Sequence, residues 1–256
     1  MKLVSLNTWC GRRFDSLADF VRKHQDADFF CFQEVGEGES ELIWSSGGER
    51  MHLLSDLSEM LPDHNAYFAP FLDGYDAELN RTEYKWPFGL AMFVRKTVDH
   101  EPAADFFVYG TFNSIGGTDK TTIPRNVQFV RAMVNGNPLT VCNFHGLWYQ
   151  SSKGDNEHRI EQSRRIKEFL DPEPAETIVA GDFNLLPDTK SLAMLEEGMK
   201  NLIKDFSITD TRGPLYTKDL RFADYTLVSP GVQVKHFDVP KVEVSDHLPM
   251  ILEFDL

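Results

Sequence analysis

The amino-acid sequence predicts a mixed α/β protein with one or two largely antiparallel β-sheets. Strand-like and helix-like segments alternate along all 256 residues, with no repeat, low-complexity tract or Pro/Ser-rich linker. Strand candidates clearly outnumber helix candidates, which excludes a helical bundle and a strict βαβ barrel. Because no shift in composition marks a boundary, we expect one domain spanning residues 1–256.

The first elements are defined by short apolar runs and by the residues that interrupt them. Residues 2–9 form a β-prone run that is broken by Gly11, and residues 28–32 form a compact apolar run that predicts a buried strand. Between them, Asp15 is placed to cap a helix with one largely apolar face. That face consists of Phe14, Leu17, Ala18, Val21 and His24.

Polar segments and prolines separate the later elements. Residues 36–50 are polar and glycine-rich, and residues 51–61 then predict a helix that ends before Pro62. Further strands are predicted at 89–95, 126–134, 139–145, 177–181, 224–228, 232–238 and 248–254. A helix at 157–170 lies between two of these strands and is ended by Pro172 and Pro174.

The charge balance limits the partners of the protein. Acidic residues outnumber basic ones by 40 to 26, which gives a formal net charge of −14 at pH 7. This argues against a protein that holds duplex DNA on a broad basic surface, whereas a metal-bearing cleft would still admit nucleic acid weakly. The basic residues near predicted loops are scattered: Arg12, Arg13, Arg81, Lys85, Lys120, Arg125, Lys153 and Arg159.

Cysteine usage and hydropathy indicate a cytoplasmic protein. Cys10, Cys31 and Cys142 are odd in number and lie in apolar surroundings, so we expect buried, reduced thiols. No apolar run reaches the roughly 18 residues of a membrane span. The first residues turn polar at Ser5 and Asn7, too soon for a signal peptide. We therefore expect a cytoplasmic monomer without a membrane span.

The most informative feature is the position of certain polar residues, which stand where predicted strands begin or end. They are Asn7, Gln33, Glu34, His145, Asp182, Asn184, Asp224, Ser245, Asp246 and His247. Each of these alone is commonly a turn former, a cap or a half-buried histidine. Because strand ends can converge on one rim, their joint occurrence predicts a preorganised site.

Part of this set is suited to a metal ion. Asn7, Glu34 and Asp246 offer the hard oxygen ligands that Mg²⁺ or Mn²⁺ prefers. The sequence contains no CxxC or HExxH spacing, so a zinc site is disfavoured.

The rest of the set is suited to proton transfer. His247 beside Asp224 would form an imidazole–carboxylate pair, in which the carboxylate fixes the tautomer and raises the basicity of the ring. Asp182 and Asn184 are two residues apart, so in an extended stretch both would point the same way. One could then orient a water while the other holds an oxygen of the substrate.

Six short blocks surround these residues: LNTW at 6–9, FQEV at 32–35, NFH at 143–145, GDFN at 181–184, ADY at 223–225 and SDH at 245–247. In this order, and spanning residues 7–247, they resemble the endonuclease/exonuclease/phosphatase family. The polar residues after His145 are similar to a loop that leads into a helix in that family. These residues are Lys153, Asp155, Arg159 and Gln162.

The resemblance implies a four-layer α/β sandwich, in which two mixed β-sheets pack face to face with helices on the outside. It also implies Mg²⁺-dependent hydrolysis of phosphoester bonds. Glu34 would be the principal metal ligand, with Asn7 and Asp246 nearby.

The resemblance further implies a role for each remaining residue. Asp182 would orient or deprotonate the attacking water, and Asn184 would hold a phosphoryl oxygen. His247 would act as acid or base and would be oriented by Asp224. His145 would stabilise negative charge on the phosphate.

The expected substrate is a phosphoester, and a phosphodiesterase or nuclease is the preferred interpretation. A phosphatase or phosphodiesterase acting on a small-molecule or lipid-headgroup phosphate is the alternative, since it needs the same site and differs only in its rim loops. Aromatic residues near those loops could stack on single-stranded nucleic acid, although core packing explains them more simply. They are Trp9, Trp86, Trp148 and Tyr149.

Overall fold

Two mixed β-sheets form the framework of the protein in a computed structural model, which describes residues 1–39, 41–76, 79–115, 123–149 and 152–256. Lys120, one of the scattered basic residues, lies outside the described residues. The strands are β1 (Lys2–Asn7), β2 (Phe29–Gly36), β3 (His64–Leu72), β4 (Phe88–Arg95), β5 (Asp99–His100), β6 (Ala104–Tyr109), β7 (Arg125–Val134), β8 (Asn137–His145), β9 (Glu176–Asp182), β10 (Lys200–Asn201), β11 (Asp224–Val228), β12 (Gln233–Asp238) and β13 (Met250–Asp255). The helices are α1 (Phe14–Lys23), α2 (Leu53–Met60), α3 (Glu157–Leu170), α4 (Lys190–Glu196) and α5 (Leu202–Asp205).

The order of the strands makes both sheets mixed. Within the described residues, the first sheet has six strands in the order β12-β13-β1-β2-β4-β3. The second has seven, in the order β10-β11-β9-β8-β7-β5, with β6 also paired to β7. The pairs β1–β2 and β8–β9 are parallel, and the other pairs are antiparallel.

Alternation of side chains along the strands creates the layers. In β1 and β2, Leu3 and Cys31 point into the core shared with the second sheet. The intervening residues, such as Val4, pack instead with Leu17 of α1 and Leu57 of α2. On the second sheet, the ring of Phe169 in α3 lies 4.7 Å from that of Phe129 and 4.8 Å from that of Phe106. The expected sandwich of two mixed sheets with outer helices is therefore confirmed.

Buried amides, which we call the amide seam, connect the two sheets through their apolar core. The amide seam consists of Gln33, Asn126, Gln128 and Asn143. Gln33 Nε2 donates to Asn143 Oδ1 at 2.7 Å, and Asn143 Nδ2 donates to the carbonyl of Phe32 at 3.0 Å. Gln128 Nε2 donates to the carbonyl of Tyr67 at 2.9 Å. These bonds fasten β7 and β8 of the second sheet to β2 and β3 of the first.

The predicted strands and helices are all present, with ends shifted by a few residues. One detail is wrong: Asp15 lies inside the first turn of α1, which begins after Arg13 without a side-chain cap. The sequence also fails to predict β3, which contains Pro70 and is an edge strand of the first sheet, where proline is tolerated. The other missed elements are short or follow loops: β5, β6, β10, α4 and α5.

None of the helices in the described ranges has both the length and the apolar character required to cross a membrane. Cys10, Cys31 and Cys142 are buried and free of disulfides, as expected from the sequence. Burial raises the pKa of each thiol, which keeps all three protonated at neutral pH.

Candidate active site

The polar strand ends surround one cavity of about 380 Å³. Strands β8 and β9 run parallel, so His145 and Asp182 stand side by side at their carboxyl ends. Strand β11 runs antiparallel to β9 and begins at Asp224, directly opposite Asp182. Strands β1 and β2 bring Asn7 and Glu34 from the first sheet to the same place.

The cavity separates the predicted residues into two groups. Its wall includes Glu34, His145, Asp182, Asn184, Asp246 and His247. Asn7 and Asp224 do not line the cavity, but each makes a hydrogen bond to a residue that does. The structure therefore brings all eight predicted residues together.

Asp182 is the point on which the polar groups converge. Its Oδ2 accepts a hydrogen bond from Asn7 Nδ2 at 3.0 Å and lies 3.6 Å from His145 Nε2 and 3.5 Å from His247 Nε2. Its Oδ1 accepts the Asn184 N–H at 2.9 Å. Burial opposes ionisation of Asp182, but the positive charge of neighbouring His247, together with those of Arg212 and Lys153, outweighs it and holds the pKa of this carboxyl well below its usual range. Asp182 is thus a buried, ionised hydrogen-bond acceptor.

His247 and Asp224 form the predicted imidazole–carboxylate pair. His247 Nδ1 lies 2.8 and 3.0 Å from the two oxygens of Asp224, and both side chains are buried. Burial and nearby Arg212 oppose protonation of His247, but the surrounding carboxylates outweigh them and raise its pKa. Nδ1–H accordingly donates to Asp224, which leaves Nε2 facing Asp182 and the cavity.

Glu34 reaches the cavity because of a bulge in β2. The pairing of β2 with β4 shifts between Gln33 and Val35, and Glu34 has a φ of +58°. In a regular strand Glu34 would share the outer face with Phe32, since side chains alternate. A bulge re-aims the side chain, and here Glu34 Oε1 comes to accept the Asn7 Nδ2 hydrogen bond at 3.0 Å.

Asn7 presents a donor, rather than an oxygen, to the two acids. Its Nδ2 hydrogen-bonds to both Glu34 and Asp182, while its Oδ1 accepts the Trp9 N–H at 3.0 Å. The amide therefore holds the two carboxylates close together. Burial raises the pKa of Glu34, and the hydrogen bond from Asn7 opposes that rise. The expectation that Asn7 is a metal ligand stays a prediction.

Asn184 lies on the same cavity wall as Asp182, but not because the chain is extended there, as the sequence predicted. Strand β9 ends at Asp182, and Asn184 has a φ of +53°, so this stretch is not extended. Left-handed backbone is uncommon in residues other than glycine, although asparagine tolerates it better than most. Asn184 Nδ2 lies 3.4 Å from the carbonyl of Gly146, and its Oδ1 is buried without a partner among the described residues.

Asp246 is paired with Arg212, a residue that the sequence analysis missed. Arg212 Nη1 lies 2.8 Å from Asp246 Oδ2, and the guanidinium stacks on Tyr216 with its carbon 4.3 Å from the ring centroid. Asp246 Oδ1 lies 3.8 Å from His247 Nε2. Arg212 does not adjoin a predicted strand, so no pattern in the sequence indicated it.

A second arginine of the cavity, Arg125, lies beside His145. Both side chains pack against Phe71, whose ring lies 6.4 Å from the His145 ring and 5.0 Å from the Arg125 guanidinium carbon. Burial, followed by the charge of Arg125, lowers the pKa of His145 well below its ordinary value. The position of Arg125 just before a predicted strand was a usable signal, by the same rule that identified the acids.

Polar residues of helix α3 and of the loop before it hold the chain after His145 in place. Arg159 Nη2 donates to the carbonyl of Leu147 at 3.1 Å, and Gln162 Oε1 accepts the Leu147 N–H at 3.0 Å. Asp155 accepts the Ser191 N–H at 2.8 Å. These hydrogen bonds fix the position of the chain that follows His145. The residues therefore support the cavity wall without lining it.

Comparison with known proteins agrees with this geometry. The model of the endonuclease/exonuclease/phosphatase family matches residues 4–247, nearly the whole chain. The chain belongs to the endonuclease/exonuclease/phosphatase family. Members of this family are hydrolases of phosphoester bonds. No protein of curated function matches this sequence significantly.

Solved structures of the endonuclease/exonuclease/phosphatase family share the fold at low sequence identity. A family protein from Bacteroides thetaiotaomicron has a TM-score of 0.71 and 20% identity, covering 99% of this chain and 97% of its own. A mannosyl-6-phosphatase from the same organism has a TM-score of 0.69 and 19% identity, with 100% of both chains covered. The human Nocturnin catalytic domain, solved with a bound sulfate anion, has a TM-score of 0.70 and 16% identity, covering 100% of this chain and 93% of its own.

Aromatic residues form much of the remaining cavity wall in this member of the endonuclease/exonuclease/phosphatase family. Trp9, Trp148 and Tyr216 line the cavity and are partly exposed. Trp86 also lines it but is only 1% exposed, so its main role is packing. Tyr149 does not line it and lies instead against the Arg159 guanidinium, 4.9 Å from its carbon. The cavity wall therefore combines acids with aromatic ring surfaces.

The acids of this endonuclease/exonuclease/phosphatase family protein fit a hard divalent cation. Ligand atoms of Asp182, Asp224 and His247 lie within 4.8 Å of one another, but His247 already occupies both oxygens of Asp224. Glu34, Asp182 and Asp246 all line the cavity, and Asp246 Oδ1 is buried without a hydrogen-bond partner in the described part of the chain. Carboxylate oxygens are the ligands that Mg²⁺ and Mn²⁺ prefer.

Proposed function

We propose that this protein is a divalent-metal-dependent phosphoesterase that acts on a small soluble phosphoester. The observation that carries the proposal is the convergence of Asn7, His145 and His247 on the ionised Asp182, with His247 Nε2 3.5 Å from Asp182 Oδ2. An acid, an imidazole and oxygen ligands at one cavity are what phosphoester hydrolysis requires. The cavity of about 380 Å³, with ring surfaces on its wall, supports a small substrate.

In the proposed mechanism, Glu34 and Asp246 would hold Mg²⁺ or Mn²⁺. When bound, the cation supplies a Lewis acid that neutralises charge on the phosphoryl oxygens. Asp182 accepts a hydrogen bond from the attacking water and takes its proton. Its position beside Asn7 and the two imidazoles keeps this carboxylate ionised and oriented.

The other residues act on the charge that develops at phosphorus. His247 Nε2–H, oriented by Asp224 through Nδ1, donates to a phosphoryl or leaving oxygen. Asn184 Nδ2 and the neutral His145 ring supply further hydrogen bonds from fixed positions, so that no reorganisation is needed during the reaction.

We also propose that residues 1–256 work as one cytoplasmic domain. The family match over residues 4–247 leaves few residues for a second domain within this sequence. The buried, unpaired thiols of Cys10, Cys31 and Cys142 support a reducing compartment.

An activity screen tests the proposal directly. The protein is assayed with Mg²⁺ and with Mn²⁺ on p-nitrophenyl phosphate, bis-p-nitrophenyl phosphate and DNA. We expect hydrolysis of at least one small ester, and little cleavage of DNA. Lack of hydrolysis of all three substrates, or equal hydrolysis by an Asp182→Asn variant, would contradict the proposal.

Metal removal is expected to abolish the activity. EDTA should reduce hydrolysis to background and added Mg²⁺ should restore it, because the cation supplies the Lewis acid. Glu34→Gln should raise the Mg²⁺ concentration needed for half-maximal activity by at least about 10²-fold, because loss of a mere hydrogen-bonding partner of a metal ligand already costs about 10–100-fold. A Mg²⁺ titration measures this, with Glu173→Gln as the control because Glu173 pairs with Arg131 outside the cavity wall. Full activity of EDTA-treated protein contradicts the metal requirement.

Nucleic-acid binding is expected to be weak and only slightly dependent on salt. The net charge is −14, and two of the arginines that line the cavity, Arg12 and Arg212, already form ion pairs with Glu49 and Asp246. Proteins that make roughly 6–10 phosphate contacts lose affinity steeply with salt through counterion release. Titration of fluorescent single-stranded and duplex DNA between low and moderate salt measures the slope. Tight and steeply salt-dependent binding of DNA without metal would contradict this expectation and would favour the nuclease interpretation. That interpretation otherwise stays a prediction.

A further inference from the structure

Arg125 is a buried cation that forms no ion pair with an acid of the described residues. The residue is 4% exposed and lines the cavity. Its Nε donates to the carbonyl of Gly146 at 3.0 Å, and its guanidinium lies over Phe71. Nη1 is buried without a hydrogen-bond partner, and no carboxylate of the described residues lies within 4.0 Å. Burial lowers the pKa of Arg125 to about 10, and the negative charges of Glu34 and Asp182 oppose that fall, so the guanidinium remains charged at neutral pH.

The other arginines of the cavity differ from Arg125 in this respect. Arg212 is bound to Asp246, and Arg12 is bound to the buried carboxylate of Glu49. A buried guanidinium with an unpartnered N–H group and no hydrogen-bonded acid is costly, because it has lost water without full replacement of its hydrogen bonds. Such a group in a cavity wall is therefore suited to an anionic ligand, which completes its hydrogen bonding.

The position of Arg125 places its positive charge near the proposed site of the substrate phosphate. Arg125 stands beside His145, on the same cavity as Glu34 and Asp182. A phosphodiester carries one negative charge, shared by two non-bridging oxygens. A phosphomonoester carries a second negative charge and a third terminal oxygen, and a planar guanidinium binds phosphate oxygens through paired N–H groups.

We propose that Arg125 is a substrate-binding residue that selects phosphomonoesters, by binding the additional anionic oxygen of a terminal phosphate. The proposal rests on the proposed function and narrows its substrate class to soluble phosphomonoesters. In the reaction, the water oxygen bonds to phosphorus while the bond from phosphorus to the ester oxygen breaks. One proton of the water leaves with the alcohol, and the other remains on the inorganic phosphate.

Substrate selectivity of an Arg125→Gln variant tests the proposal. For wild-type protein we expect a higher kcat/KM for p-nitrophenyl phosphate than for bis-p-nitrophenyl phosphate. Arg125→Gln should lower the monoester value by about 10²-fold, the loss typical of a charge-assisted bidentate contact, and change the diester value by less than about threefold. Arg131→Gln is the matched control, because Arg131 is on the same strand and also stacks on a phenylalanine, but is paired with Glu173.

Two further measurements keep the result interpretable. Arg125→Lys retains the charge without the paired N–H groups, so it should lose less monoester activity than Arg125→Gln and serves if that variant does not fold. Binding of inorganic phosphate in EDTA, followed by calorimetry, should weaken at least about tenfold in Arg125→Gln, without any turnover.

The outcomes separate this inference from the proposed function. Equal losses on both esters, unchanged phosphate binding, or a wild-type preference for the diester would each overturn the role of Arg125 while leaving a phosphoesterase in place. If the wild-type protein and Asp182→Asn hydrolyse the esters equally, the proposed function itself fails. Phosphate binding then still decides whether Arg125 holds an anion.

Discussion

Replacing Asp182 by Asn is expected to lower kcat/KM for phosphoester hydrolysis by about 10⁴-fold, the upper end of the range for one acid–base group. The substitution keeps the shape of the side chain and the oxygen that accepts the Asn184 N–H, but removes the charge that faces both histidines. The neutral amide cannot take a proton from water. The substitution also removes the negative charge that, after Asp224, contributes most to the raised pKa of His247.

Steady-state kinetics on the most active ester of the screen measure this loss, and circular dichroism verifies the fold. Asp188→Asn is the matched control, since Asp188 is an exposed carboxylate in the loop that follows Asn184. We expect that control to retain wild-type activity. A loss of less than about tenfold in Asp182→Asn would show that this carboxylate does not handle the proton, because acid–base help is worth at least 10²-fold.

The second large effect concerns His247 and Asp224, which we expect to behave as one unit. His247→Ala should cost about 10³-fold in kcat/KM, and Asp224→Asn a similar or smaller factor. In Asp224→Asn the negative charge is lost and one of the two oxygens that face Nδ1 becomes an NH2 donor, so the imidazole is no longer held charged with Nε2–H towards the cavity. The double variant should then be little worse than His247→Ala alone.

A double-mutant cycle built from the three variants measures the coupling. Losses that multiply would mean that the two residues contribute independently, contrary to the mechanism. His236→Ala provides a control for histidine removal, because His236 is exposed on strand β12. Since Asp224 is buried, thermal midpoints of all variants are needed so that a drop in activity is not mistaken for unfolding.

The location of the site was predictable because it depends on a simple property of the chain. Apolar runs define strands, and a polar residue at the end of such a run emerges at the rim of a sheet. Asp182 and His145 were found in this way, and the parallel pairing of β8 and β9 does place them side by side. The pairing of His247 with Asp224 was also foreseeable, because Asp224 begins one predicted strand and His247 immediately precedes another.

Details that depend on local backbone geometry were not predictable. Strict alternation would turn Glu34 towards the outer helices, and only the bulge with its φ of +58° brings it to the cavity. The direction of the Asn7 amide follows from the Trp9 N–H, which belongs to a 3₁₀ turn. The ion pair between Arg212 and Asp246 joins residues 34 positions apart that no periodic pattern relates.

The amide seam has a consequence for how the two halves of the molecule find each other. Apolar contacts alone would allow one sheet to shift along the other, because they are not directional and one methyl group packs nearly as well as another. A displacement of the second sheet along the first would separate Gln33 from Asn143 and leave dry amides, each costing about 1–3 kcal/mol. Packing arrangements in which the sheets are offset are therefore disfavoured, and the amide seam specifies a single alignment of the two sheets. It locks the alignment that sets Asn7 of one half against Asp182 of the other.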